Sequence, residues 1–476
     1  MKKRIISLLS ALTFVVSLTA VTSVFSGESI LYGDVDNDGE VNIIDATCVQ
    51  RYTVNMMQLD DEAVKRGDVS GEDGLDIIDV TLIRRYDLRM IKRFPAEGPE
   101  REVPKVKDEI TISFTNNKKW NPVNAYIYNY STGDALNEWP GVALTDYEIN
   151  ADGYQVYNLT VDVSRYDRVI FNSGRKQTTE IPVTKASSGY SILGRVGKKY
   201  YASIYPTEFH GKGAIRTVVM DYPDGYKKKV YIWTPEGYDP ADKSKKYSVL
   251  YMCDGQNLFG NVANMSGCFW QCQDTVNSLM QNGGDGVIVV GVDNNDDRRV
   301  SELTPNLYEL DPGFLENVDP SEIPDFKCDI FSGFIVDSVI PYVEANYNVN
   351  SVRGIAGSSC GGQAAFYIGM ENMDKFSYIG AFSSAFAYFS KECWNNYLSE
   401  KDFSGDVPYI YLYTGENKDD NTEQWIYPTA ILMDGWLTDN GYPADKKKNV
   451  IDVDARHHEN YWALYFPEML CCGLDL

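Results

Sequence analysis

Three side chains in this sequence have the types needed to cleave an acyl bond, and one of them announces itself by its neighbours. Arg353-Gly354-Ile355-Ala356-Gly357-Ser358-Ser359-Cys360-Gly361-Gly362 is a short apolar run that ends in Gly-x-Ser-x-Gly, with an alanine-rich helical segment after it. A serine held on a sharp strand-to-helix turn needs neighbours two residues away that lack side chains, and the helix beyond turns its free N–H groups toward developing negative charge. Ser359 takes the apex; Cys360 is a small filler rather than the nucleophile. A serine hydroxyl also needs a base. The chain holds three histidines. His210 lies before the first clear strand of its region, whereas His457 and His458 follow the last, Val450-Ile451-Asp452-Val453. The acid is expected after the preceding strand, in Thr414-Gly415-Glu416-Asn417-Lys418-Asp419-Asp420, with Asp419 chosen and Asp420 and Glu416 as alternatives.

These residues need a sheet to carry them. From about residue 210 to 476, apolar strand-like runs alternate with helical ones: Val218 to Met220, Lys229 to Trp233, Tyr247 to Met252, Gly286 to Val292, Val352 to Ala356, Tyr409 to Tyr413 and Val450 to Val453. Helix candidates include Gly333 to Glu344 and Thr422 to Leu437. The alternation predicts a doubly wound sheet with its chemistry at the carboxyl ends of the strands.

The region resembles the α/β-hydrolase family that contains feruloyl and acetyl-xylan esterases of carbohydrate esterase family 1. The resemblance rests on Val249 to Phe259, on Gly291-Val292-Asp293-Asn294 with Arg299 to Pro305, on the elbow, and on His457-His458-Glu459-Asn460-Tyr461-Trp462. It implies a Ser359–His457–acid triad, because relatives place a tryptophan five residues after the histidine, and an oxyanion hole from the backbone N–H groups of Gln256 and Cys360. No cofactor is implied for catalysis. The opposing reading is a non-catalytic, glycan-binding docking protein with a degenerate hydrolase domain.

Length and composition bound the rest. At 476 residues the chain must divide into several domains. Lys2-Lys3-Arg4, an apolar run and small residues to Ser26 read as a secretory signal (residues 1–26), so the protein is expected outside the cell, without a membrane anchor. A net charge of -24 disfavours nucleic acid and anionic membrane as partners. Nine cysteines leave at least one thiol unpaired.

Residues 31–92 carry a repeat. Gly33-Asp34-Val35-Asp36-Asn37-Asp38-Gly39-Glu40-Val41-Asn42-Ile43-Ile44-Asp45 recurs from Gly67, 34 residues on, as Gly67-Asp68-Val69-Ser70-Gly71-Glu72-Asp73-Gly74-Leu75-Asp76-Ile77-Ile78-Asp79. Oxygen ligands at this spacing suit Ca²⁺: Asp34, Asp36, Asp38, Glu40, Asn42 and Asp45 in the first loop, and Asp68, Ser70, Glu72, Gly74, Asp76 and Asp79 in the second. The pair resembles a type I dockerin, which implies a cohesin on a scaffold protein (a cellulosome) as partner and an interface at Ile43-Ile44 and Ile77-Ile78.

A proline-rich, charged stretch at 93–107 reads as a spacer. From 108 to 205, short alternating runs predict an all-β sandwich. Trp120, Tyr126, Tyr128, the Asn137-Glu138-Trp139-Pro140-Gly141 turn and Arg175-Lys176-Gln177-Thr178 resemble starch-binding modules of family 26. That resemblance implies a polysaccharide ligand held by Tyr126, Tyr128, Trp139, Lys176 and Gln177.

Overall fold

A computed structural model describes residues 31–71, 74–91, 94–97, 107–205, 212–260, 268–294, 297–307, 309–316 and 319–476. The signal-like segment, Glu72 and His210 lie outside these. The chain divides into two compact units, residues 1–103 and 104–476.

In the first unit the helices Ile43–Thr53, Asp61–Gly67 and Ile77–Asp87 close over Val35, Ala46, Val49, Val69, Val80 and Ile83. Asn42 and Asp76 each begin a helix with a reciprocal capping box completed by Asp45 and Asp79, so the acids that end the loops also start the helices. The packing runs past residue 92, where the sequence placed the spacer. Phe94 is buried and stacks on Tyr86 with ring centroids 4.7 Å apart, and the Ala96 N–H donates to Val69 O at 3.0 Å. Gly33 has to be glycine, since its φ is +92° and a Cβ there would stand 2.8 Å from the Phe94 ring.

The second unit holds a sandwich of two five-stranded sheets and an eight-stranded sheet. The sandwich sheets are built around Glu109–Thr115 with Gln155–Asp162 and Val123–Tyr128 with Arg168–Ser173. Numbered along the chain, the eight strands run one-two-four-three-five-six-seven-eight: Ala214–Tyr222, Tyr226–Thr234, Val287–Val292, Tyr247–Met252, Val349–Ser358, Tyr378–Phe382, Tyr409–Gly415 and Lys447–Asp452. The first two pair antiparallel and the last six are mutually parallel. Runs such as Val287-Ile288-Val289-Val290 suit a sheet covered on both sides. Val249, Ile288 and Val290 pack with Phe366, Met433 and Leu437 on one face; Leu250, Val287 and Val289 pack with Leu464, Phe466 and Leu279 on the other. The strand Tyr378–Phe382 was missed in the sequence, where Gly380 and Ala381 dilute the apolar run. Gly380 is small for cause: a Cβ there would meet Ala356 Cβ at 3.0 Å.

The sandwich and the large sheet share one core, in which Ile110, Phe114 and Tyr201 belong to the same cluster as Trp462 and Phe466. They form one body rather than two beads on a string. Among the described residues no helix is long and apolar enough to cross a membrane. All nine cysteines are free thiols.

Candidate functional site

Ser359 follows the fifth strand of the large sheet and precedes the helix Cys360–Glu371, with φ 56° and ψ −127°. A non-glycine residue at positive φ is strained, and such strain gathers at functional sites. The surroundings hold it there: Ser359 N–H donates to Phe382 O at 2.9 Å and its carbonyl accepts from Ala385 N at 3.0 Å. A Cβ on Gly357 would fall 2.3 Å from Gly361 O, so the turn closes only with glycine. Cys360 is the first helical residue, and a first-turn N–H has no acceptor within its own helix.

The loop after Met252 is pinned from several sides. Asp254 adopts the left-handed conformation, φ 53°. Arg299 grips its carboxylate with two bonds of 2.7 Å. Gln256 donates from Nε2 to Asp254 Oδ1 and accepts from Asn294 N–H, both at 3.1 Å. Asn294 in turn donates to Glu302 at 3.1 Å, and Glu302 pairs with buried Lys228. A Cβ on Gly361 would lie 3.0 Å from Asp254 Oδ2, which brings this loop against the elbow helix.

The histidine that follows the eighth strand meets a buried carboxylate. His457 Nδ1 lies 3.3 Å from Oε1 of Glu423, a carboxylate with 0% exposure. The Ser383 hydroxyl donates to that oxygen at 2.7 Å and accepts from Trp462 Nε1 at 3.1 Å. The Trp462 ring stands edge-on to His457 at 5.0 Å between centroids. Ser383 directly follows Phe382, whose carbonyl holds the Ser359 N–H, so a continuous run of contacts joins the elbow to the imidazole.

The carboxylate that meets His457 is Glu423, not Asp419. Asp419 is exposed, and its own N–H donates to Asn417 Oδ1 at 3.0 Å. Asp420 reaches His457 only at the backbone: its Oδ2 accepts the His457 N–H at 3.2 Å, while Oδ1 caps the helix Asn421–Asp439 through Thr422 and Glu423. Glu416 stays half-buried with its N–H on Asp452 O. The loop carries Asp420 as a cap, and Glu423 is the third residue of the helix that follows. Of the adjacent histidines, His457 faces Glu423, whereas His458 caps the helix Glu459–Gly473 by accepting Asn460 N–H at 3.3 Å. Glu423 Oε2 is buried without a partner among the described residues.

In the first unit, carboxylate oxygens of Asp34, Asp36 and Asp38 lie within 4.8 Å of one another. Burial, then the charges of Asp45 and Asp38, hold the Asp36 carboxyl above its ordinary range. The hard-oxygen donor set fits Ca²⁺. Glu40 is exposed, Asn42 caps Ile44 N–H, and Asp45 uses both oxygens on backbone N–H groups of Val35, Asp36 and Asn42. The second loop closes alike: Asp79 accepts from Ser70 and Asp76, and Asp68 accepts from Gly71 and Gly74.

On the sandwich, Tyr126 lies 5.3 Å from Tyr128 and 5.4 Å from Trp139, which is 48% exposed. Asn172 holds the Trp139 turn by donating to Pro140 O, and Gly141 must lack a side chain because a Cβ would sit 2.1 Å from Ala125 O. Lys176 and Gln177 lie at the edge of that sheet, two strands from Tyr126. Trp120, part of the motif, is instead buried against Tyr200 and Phe114.

Residues 225–435 match the Putative esterase family. The esterase domain is preceded by matches to Starch-binding module 26 at 112–182 and to the Dockerin type I domain at 32–94. Among solved structures, a siderophore hydrolase from Aspergillus nidulans is similar at 18% identity over 57% of this chain and 98% of its own, with a TM-score of 0.45. A ferulic acid esterase from Anaeromyces mucronatus is 19% identical over 56% and 92%, TM-score 0.38. The enterobactin esterase of Shigella flexneri is 13% identical over 76% and 91%, TM-score 0.41.

Proposed function

We propose that the protein is a secreted, cellulosome-associated serine carbohydrate esterase that removes acyl groups, acetyl or feruloyl, from plant polysaccharide. The observation that carries the reading is the buried Glu423 carboxylate on His457, joined through Ser383 and Phe382 to a strained Ser359. His457 takes the Ser359 proton as the hydroxyl attacks the ester carbonyl. The N–H groups of Gln256 and Cys360 receive the oxyanion, and the sugar hydroxyl leaves with the proton from His457. Water, activated by the same imidazole, then releases the acid. Glu423 keeps the imidazole in one tautomer and offsets its charge.

Aromatic side chains next to the elbow favour an aromatic acyl group. The Tyr388 hydroxyl is 3.8 Å from Cys360 Sγ, and Tyr388 packs edge-on to Phe314 at 4.8 Å and Trp425 at 5.2 Å. Assay of the intact chain against acetylated and feruloylated oligosaccharides tests this. With Trp425→Ala, kcat/KM on the feruloyl ester is expected to fall about tenfold or more while the acetyl ester is spared.

The other modules bring the enzyme to its substrate. Trp139→Ala is expected to cost about 2 kcal/mol, about thirtyfold in Kd, in retardation on soluble-starch gels. The dockerin is expected to capture a cohesin through the exposed Ile43, Ile44, Ile77 and Ile78 only when Ca²⁺ is bound. Free Ca²⁺ at a hundred times its Kd would stabilise this unit by about 2.7 kcal/mol. Excess EDTA should lower its unfolding midpoint and abolish capture; capture undiminished by EDTA would end this part of the reading.

A further inference from the structure

The sandwich is fastened to the esterase domain at the residues that lead into His457. Tyr201, in the sandwich strand Lys199–Ile204, is fully buried and donates its hydroxyl to Asp452 Oδ2 at 2.5 Å. Asp452 ends the eighth strand of the large sheet, five residues before His457. Its other oxygen accepts Asp454 N–H at 3.0 Å, and its carbonyl accepts the N–H groups of Glu416 and Ala455. On the far side of the histidine, the Tyr461 ring packs on Tyr201 with centroids 4.2 Å apart. One sandwich side chain thus touches both ends of the loop that carries the imidazole. The loop's middle is held by Asn417 and by Asp420, which takes the His457 N–H.

Elsewhere the same contact surface is made of ordinary fastenings remote from the imidazole. Ser278 donates to Ser187 O at 2.7 Å, and Arg168 pairs with buried Glu468 at 3.2 Å. These fix the module in place. The Tyr201 contact bears on the loop between the eighth strand and its helix, flanked there by Lys199, half-exposed, whose Nζ lies 3.6 Å from Asp454 Oδ2.

We infer that Tyr201 is a positioning residue for His457, so that the carbohydrate-binding module completes the catalytic geometry as well as presenting glycan. This rests on the esterase reading above. A base displaced from its attack geometry loses rate without losing substrate affinity. With p-nitrophenyl acetate, which needs no glycan contact, Tyr201→Phe in the full chain is expected to lower kcat about tenfold with KM changed less than about twofold. Ser278→Ala removes a hydrogen bond of the same contact surface and is expected to lower Tm yet keep kcat. Asp452→Asn weakens the Tyr201 bond from its other partner and should lower kcat in the same direction, which keeps the test open if Tyr201→Phe does not fold.

A second readout stands apart from activity. With three histidines in the chain, ¹⁵N-imidazole spectra separate their ring signals. Tyr201→Phe should shift the His457 ring signals, and Ser278→Ala should leave them in place. Wild-type kcat together with unmoved His457 signals in Tyr201→Phe would overturn the inference, as would equal loss of kcat in Ser278→Ala. If the wild-type chain turns over no ester, the esterase reading fails, and the ring signals still decide whether Tyr201 sets the imidazole.

Discussion

Ser359→Ala is expected to lower ester turnover by about ten thousandfold or more, with the fold and substrate affinity retained. The size follows from what is lost. Alanine fits the elbow, since the turn's constraint falls on Gly357, where a Cβ would collide with Gly361 O, and not on the apex side chain. The oxyanion donors and His457 remain, but no atom is left to carry the acyl group. What persists is the catalysis that positioning and hydrogen-bond donors can give to attacking water. Initial rates on p-nitrophenyl acetate, with circular dichroism to verify folding, check this. Equal rates for variant and wild type would leave Ser359 without a role.

The second large effect separates two carboxylates. Glu423→Gln is expected to lower kcat about a thousandfold or more, whereas Asp419→Asn should stay within about twofold of wild type. Glu423 is buried and shares Oε1 between His457 Nδ1 and the Ser383 hydroxyl. Glutamine keeps the shape but removes the charge that offsets imidazolium, and its amide can present N–H to Nδ1 and so favour the wrong tautomer. Asp419 faces solvent, where a charge change is screened. Steady-state kinetics on one ester suffice. Loss at Asp419 with full activity in Glu423→Gln would reverse the assignment.

That pair also shows where reading the sequence stops. The elbow was legible because its requirements are backbone requirements, written locally as two glycines around a serine. The positions of strands were legible where burial on both faces demanded continuous apolar runs, as in Val287 to Val292. The reading failed at Tyr378–Phe382, whose small residues answer to Ala356 and Met469 across the packing rather than to a local pattern. The carboxylate beside His457 was not legible because Glu423, just inside a helix, is spelled like any exposed first-turn glutamate. Its place comes from distant segments: His457 and Ser383 meet its Oε1, and Trp462 holds Ser383 in turn. The union of sandwich and esterase domain was hidden for the same reason, since Tyr201 and Arg168 read as ordinary sandwich residues until Asp452 and Glu468 stand opposite. The repeated acidic loops, by contrast, were plain, because residue spacing along one short loop is itself the local rule.

The measurement that bears most directly on the whole account is covalent labelling with diethyl p-nitrophenyl phosphate, which an activated serine attacks with release of p-nitrophenolate. Peptide mass spectrometry should find the phosphoryl adduct on Ser359 alone, formed rapidly in wild type and many times more slowly in His457→Ala. An adduct on any other residue, with Ser359 unmodified and ester turnover abolished, would contradict it.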